Sequence, residues 1–148
     1  MTTENPSKLG KLLLFSILIL IIQIVAAIMH GIWWGIGLNF IINRTTIITL
    51  AAMLLVTAIV GPRVIEKQKF VPLIIGIMIA ALSALLIIYV LDPLIHNIEA
   101  IATTPSLTPL FYIIYIILIV IHCVSIALAV IILIRGIRLI IDYTRQPS

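Results

Sequence analysis

The fold class this sequence predicts is an all-α membrane protein, a four-helix transmembrane bundle, and three observations predict it. The chain of 148 residues is 64% apolar and only 9% charged, against about 45–50% and about 25% in soluble domains. Its apolar residues gather in four long runs separated by short polar segments. Eight of the nine cations fall where they would share one side of a membrane. A water-soluble fold of this length still exposes about a third of its surface. It cannot hide so much hydrocarbon, and lipid is the remaining solvent.

The opening "MTTENPSKLGK" is polar, then basic, and the run from Leu12 to Asn43 carries no Asp, Glu, Lys or Arg. A signal-peptide core spans about 7–15 residues, so the run reads as a retained membrane helix. Those 32 residues would make a helix about 48 Å long, against about 30 Å of hydrocarbon. Gly31, Gly35 and Gly37 weaken the helix, and Trp33 and Trp34 suit the headgroup level. The first span is therefore placed at 12–34, with Leu38 to Ile42 at the interface. The second is expected over 45–61, from Asn43 as N-cap to Gly61-Pro62. The third is expected over 72–91, opening on Pro72, whose missing N–H suits a first turn, and closing at Asp92-Pro93. The fourth is expected over 109–134, from Thr108 as cap and Pro109 to the residue before Arg135. With these bounds no proline interrupts a span, unlike the broken helices of many transporters.

Lys8 and Lys11 precede the first span, Arg63, Lys67 and Lys69 lie between the second and third, and Arg135, Arg138 and Arg145 follow the fourth. Arg44 alone falls on the other side. The positive-inside rule then predicts an up-down-up-down bundle with both termini cytoplasmic. Between helices 3 and 4, "DPLIHNIEAI" reads as a short amphipathic helix on the outer surface, capped by Asp92 and started by Pro93. "RGIRLIIDYTR" continues helix 4 into the headgroups, with Arg138 and Asp142 four apart.

Chemistry gathers on few residues. His122 lies in the middle of "IIYIILIVIHCVSIALAVIIL", about 12 Å above the cytoplasmic edge of a 30 Å core. Gln23 comes out at about 17 Å and Ser83 at about 15 Å, with Thr57 level with them. If they face inward, these four form one buried polar layer. Interhelical hydrogen bonds in membranes contribute about 0.6 kcal/mol on average, and structural glue is the plainest reading. An ionisable residue at such depth also points to function. His122 and Gln23 are therefore candidate cofactor contacts, for haem or quinone, and His30 beside Trp33-Trp34 is a third, bordering a quinone headgroup. His30 lies about 15 Å higher than His122, so the two cannot ligate one haem. Asp92, His96 and Glu99 have i, i+4, i+7 spacing, but a solvated face explains them as well, and no metal site is assigned. The single cysteine, Cys123, excludes an internal disulfide and a cysteine-cluster metal site.

Gly76, Ala80 and Ala84 form a small-residue ridge on helix 3, Gly31 and Gly35 another, and Ser125 and Ala129 continue the theme on helix 4. No phosphate-binding glycine loop, nucleophile elbow or soluble domain is present, so an enzyme by itself is not expected. Nucleic acid is not an expected partner, because the cations already belong to the membrane edge. The partners expected are the lipid bilayer and other membrane subunits. The leading functional expectation is a small accessory subunit of a larger multi-pass assembly in the cell membrane, of the respiratory or electron-transport kind. The alternatives are a haem- or quinone-contacting redox protein using His122, and a small oligomeric transporter or channel. Isoleucine makes up about a quarter of the chain, which fits a thermophilic prokaryote such as an archaeon; an AT-rich genome would give the same bias.

Overall fold

In a computed structural model, which describes residues 6–35, 37–65 and 69–146, the four apolar runs form α1 (Pro6–Trp34), α2 (Leu38–Ile65), α3 (Val71–Thr103) and α4 (Pro109–Arg145). Each is long and apolar enough to cross a membrane. Inward-facing residues recur at steps of three and four. On α1 they are Leu12, Ser16, Ile19, Gln23 and Ala26; on α2 they are Arg44, Ile47, Ala51, Leu54 and Ala58. A period near 3.5 keeps a narrow seam facing the bundle axis, as in left-handed helix packing. The outer faces are large aliphatic side chains, Ile28, Val56, Ile88 and Val120 among them. In hydrocarbon such faces cost nothing, so the core can be this slim.

Successive helices run antiparallel. Asn43 near the start of α2 bonds Asp92 late in α3, and Trp34 at the end of α1 packs on Tyr115 early in α4. α1 and α3 each contact both α2 and α4 and lie diagonally across the bundle. One end gathers the end of α1 and the start of α4 around Trp33, Trp34, Phe111 and Tyr115; we call it the aromatic end. The opposite, basic end carries exposed Lys11, Arg63, Lys69, Arg138 and Arg145. Lys67 and the side chain of Lys8 lie outside the described residues.

α3 and α4 approach closely because neither has a side chain in the way. A Cβ added to Gly136 would lie 2.9 Å from the Ala80 amide nitrogen and 3.0 Å from Ile79 Cγ2. One added to Gly76 would lie 2.9 Å from Ile140 Cγ1 and 3.1 Å from the Gly136 carbonyl oxygen. The Gly76–Ala80 ridge thus serves the bundle itself, with Gly136 as its counterpart. In lipid, where burial supplies no extra drive, backbone proximity of this kind holds helices together.

Several helix ends differ from expectation. α1 ends at Trp34 as expected, with Gly35 at φ +78° closing it, a left-handed conformation that glycine adopts without strain. α2 starts at Leu38, so Asn43 lies inside the helix and is not its cap. It also continues through Pro62 to Ile65. α3 passes through Pro93 without ending, and the expected separate surface helix is the last part of α3. Proline removes one backbone hydrogen bond, and packed neighbours in a membrane tolerate that loss. Here the inward seam continues beyond it, with Leu94 and Asn97 buried. Asp92 is consequently no cap; its carboxylate accepts from Asn43 Nδ2 at 3.0 Å. Thr108 occupies the N-cap of α4 in extended conformation, with Pro109 in the first turn, but its hydroxyl makes no capping bond.

Gly136→Leu is expected to destabilise the bundle by about 1–3 kcal/mol through overpacking. Gly10→Leu, where an added Cβ meets nothing within 4 Å, is expected to be neutral or better. Thermal unfolding of the two variants in mild detergent checks the difference.

Candidate ligand site in the bundle interior

Each polar residue on the inward seams must find a partner without water. Short hydroxyls solve this locally, by donating to the carbonyl one turn back. Ser16 donates to Leu12 O, Thr57 to Met53 O and Ser83 to Ile79 O. Ser83 and Thr57 therefore do not join a polar layer across the bundle, although their depth matches it.

Gln23 and His122 do meet, and they bring two further residues with them. Gln23, on the α1 seam, is fully buried, as are His122 and Ser125 on the α4 seam. Gln23 Nε2 donates to Ser125 Oγ at 2.7 Å and lies 3.5 Å from His122 Nδ1. From α2, Arg44 NH1 donates to Gln23 Oε1 at 3.4 Å. A guanidinium can only donate, so Arg44 fixes which end of the Gln23 amide faces it. The amide nitrogen then faces α4 and donates to the imidazole. His122 Nδ1 must accept, which puts the imidazole proton on Nε2. Ser125 passes its own proton to Ile121 O at 3.0 Å. The hydrogen bonds thus run one way, from α2 through α1 to α4.

Nε2 of His122, the atom that carries the proton, is buried with no partner. Asn97 Nδ2 on α3 is likewise buried and unpaired. Arg44 is only 5% exposed, and among the described residues no carboxylate lies within ion-pair distance of it. Its guanidinium carbon stands 5.8 Å from the centroid of the Phe40 ring, a contact that contributes about 0.5–2 kcal/mol depending on desolvation. His30 stacks on the same ring, 4.6 Å from Phe40 and nearly parallel at 10°, and lies 5.1 Å from Trp34. The interior is thus an aromatic layer over a hydrogen-bonded layer. His30 belongs to the first, Gln23 and His122 to the second.

Sequence reading missed Arg44 and Asn97. Arg44 passed for a flanking loop cation, yet Arg44, Ile47, Ala51 and Leu54 share the seam spacing. That spacing was the available signal, provided α2 began before Asn43. Asn97 continues Val90 and Leu94 in the same way across Pro93. Asp92, His96 and Glu99 are all exposed, and no cluster of three potential metal ligands occurs among the described residues. No family model matches the chain, and neither the curated proteins nor the solved structures contain a match to it.

Gln23→Leu is expected to leave Arg44 and His122 unpaired and to lower stability by about 1–3 kcal/mol. Ser83→Ala, which removes only a bond to the residue's own helix, is expected to change it by less than about 0.5 kcal/mol. Parallel denaturation of both variants in detergent micelles checks the contrast.

Proposed function

We propose that this chain is a ligand-contacting subunit of a larger membrane assembly, lying in the bilayer with both termini cytoplasmic and doing no chemistry by itself. One observation carries the ligand reading: a buried Nε2–H on His122 with nothing to receive it. An unpaired buried donor costs about 1–3 kcal/mol, a cost that a bound molecule presenting an acceptor oxygen removes. The neighbouring Gln23 and Ser125 hold the ring in the tautomer that makes this donation. No buried acid accompanies the histidine among the described residues, and the neighbouring Ser125 hydroxyl donates to its own helix, which favours holding a ligand over transforming it.

The assembly reading rests on the shape of the chain. Its mid-depth polar residues face inward, its connections are short, and its outer faces are mostly large apolar side chains, suited to other subunits as well as to lipid. The inside-facing basic end follows from the cations. With Arg44 inside the bundle, the exposed cations of the described residues all lie at that end, and the charge asymmetry is sharper than the sequence suggested.

A second reading is favoured by the same imidazole. A quinone carbonyl is an acceptor that partitions into hydrocarbon, and the aromatic layer from His30 to Trp34 would border its ring. This would make the parent complex one of electron transport.

Gentle extraction followed by native mass spectrometry tests the reading: co-purifying chains and a bound small molecule lost in His122→Leu are expected. A lone, ligand-free monomer that His122→Leu leaves unchanged would overturn it. For the topology, single cysteines are placed in a Cys123→Ser background and exposed to a membrane-impermeant thiol reagent in intact cells. Ser106→Cys is expected to label and Lys69→Cys to stay unlabelled until the cells are opened.

A further inference from the structure

On the fully buried seams the unsatisfied groups are donors; the two other buried atoms without partners, Asn43 Oδ1 and His30 Nδ1, belong to half-buried residues. Arg44 offers the five N–H groups of a planar fork and places one of them on Gln23 Oε1, at a long 3.4 Å. The only acceptor on Gln23 is thereby used. Phe40 presents a ring face and Ser125 has already committed its hydroxyl. Beyond them His122 Nε2 and Asn97 Nδ2 are further buried donors without partners. The acids among the described residues, Asp92, Glu99 and Asp142, are all exposed, and the Asp92 carboxylate is engaged by Asn43.

The buried seams are therefore rich in donors and positively charged, with Asn43 Oδ1 and His30 Nδ1 the unpaired acceptors at their margin. Burying an uncompensated charge costs several kcal/mol even after relaxation, and in a membrane centre an arginine alone costs about 2.5–3.5 kcal/mol on the most lenient scale. A neutral acceptor would satisfy His122 but would leave that charge uncancelled. Only an anion answers both deficits, and an oxygen-bearing one matches the fork, which pairs with carboxylate and phosphate through two parallel N–H bonds.

From this we infer that Arg44 binds an oxyanion, a carboxylate or phosphate group, inside the bundle, with His122 Nε2 as a second donor. The inference rests on the reading of the interior as a ligand site and names the ligand's class. Gln23 holds both donors, since its single amide touches Arg44 on one side and His122 on the other. Asn97 Nδ2 is a further unpaired donor on the side of the aromatic end. The Asn43–Asp92 bond sets α2 against α3, and Asn97 lies five residues beyond Asp92, about 7.5 Å nearer the aromatic end. The group bound there belongs either to a free small molecule or to an anionic lipid whose headgroup reaches in from that end.

Thermal unfolding of the purified full chain tests the inference. One arm adds inorganic phosphate or acetate to protein in neutral detergent, with chloride at equal ionic strength as control. The other compares nanodiscs of zwitterionic lipid with and without phosphatidylglycerol. A rise in Tm of about 5 °C or more at saturation is expected in one arm and absent in Arg44→Leu. Response to phosphate or acetate identifies a free oxyanion; response to phosphatidylglycerol alone identifies a headgroup. Arg44→Leu removes a buried charge but leaves Gln23 Oε1 without its donor, so the two effects oppose and it is expected to fold with a Tm close to the parent's without anion. Arg44→Lys, which keeps the charge and loses the fork, is expected to respond at least tenfold more weakly in anion concentration. No response in either arm, or an equal response to chloride, would overturn the inference. Tryptophan quenching by a short-chain benzoquinone, abolished in His122→Leu, would in that case show that the ligand site stands and that its ligand is neutral. Absence of that quenching as well would remove both.

Discussion

A guanidinium placed among helices in hydrocarbon must find acceptors, and that single requirement organises the interior of this bundle. Arg44 reaches across from α2 to the Gln23 carbonyl on α1. The glutamine amide is oriented by that contact, the imidazole of His122 is given its tautomer by the amide, and Ser125 receives the second amide hydrogen. Three helices are thereby tied by one side chain. In water each of these bonds would exchange with solvent for little net gain. In an interior of low dielectric they are stronger, and leaving any one of them unmade is costlier.

The fourth helix is held differently. α3 contributes no side chain to the chain of bonds through Gln23, and its Ser83 serves only its own backbone. What fixes α3 is close backbone packing on α4 at Gly76, Ala80 and Gly136, together with the Asn43–Asp92 bond to α2 near the aromatic end. Polar bonding thus sets the rotation of α1, α2 and α4 at mid-depth, while small residues set the distance of α3 from α4 toward the basic end. The two devices act at different depths, so neither crowds the other. The unpaired donors of His122 and Asn97, and the charge of Arg44, lie between mid-depth and the aromatic end, away from the Gly76–Gly136 contact.

Much of this was legible before the structure. Four apolar runs, the prolines opening α3 and α4, and the small-residue ridge on α3 each follow from one physical rule applied to a few residues. The meeting of Gln23 with His122 followed from depth, because axial rise converts position into height. Depth alone misled for Ser83 and Thr57: a short hydroxyl reaches its own carbonyl four residues back before it reaches another helix. Arg44 was obscured by its place near a span boundary, where a cation ordinarily marks the headgroups. Asn97 was obscured by Pro93, read as a helix start when the buried seam runs straight through it. In both cases the three-and-four spacing carried the information, and the boundary signal outweighed it wrongly. Which molecule fills the interior is not written in spacing at all, since it depends on the balance of donors, acceptors and charge that only assembled helices display.

The direction of the hydrogen bonds is the central claim, and nitrogen NMR of the His122 ring in lipid bilayers tests it most directly, with His122→Gln used to assign its signals among the three histidines of the chain. The account predicts a proton on Nε2 and a bare, hydrogen-bonded Nδ1, with the Nδ1 signal shifting when Gln23 is replaced by leucine. A proton on Nδ1, or a ring indifferent to Gln23, would contradict it.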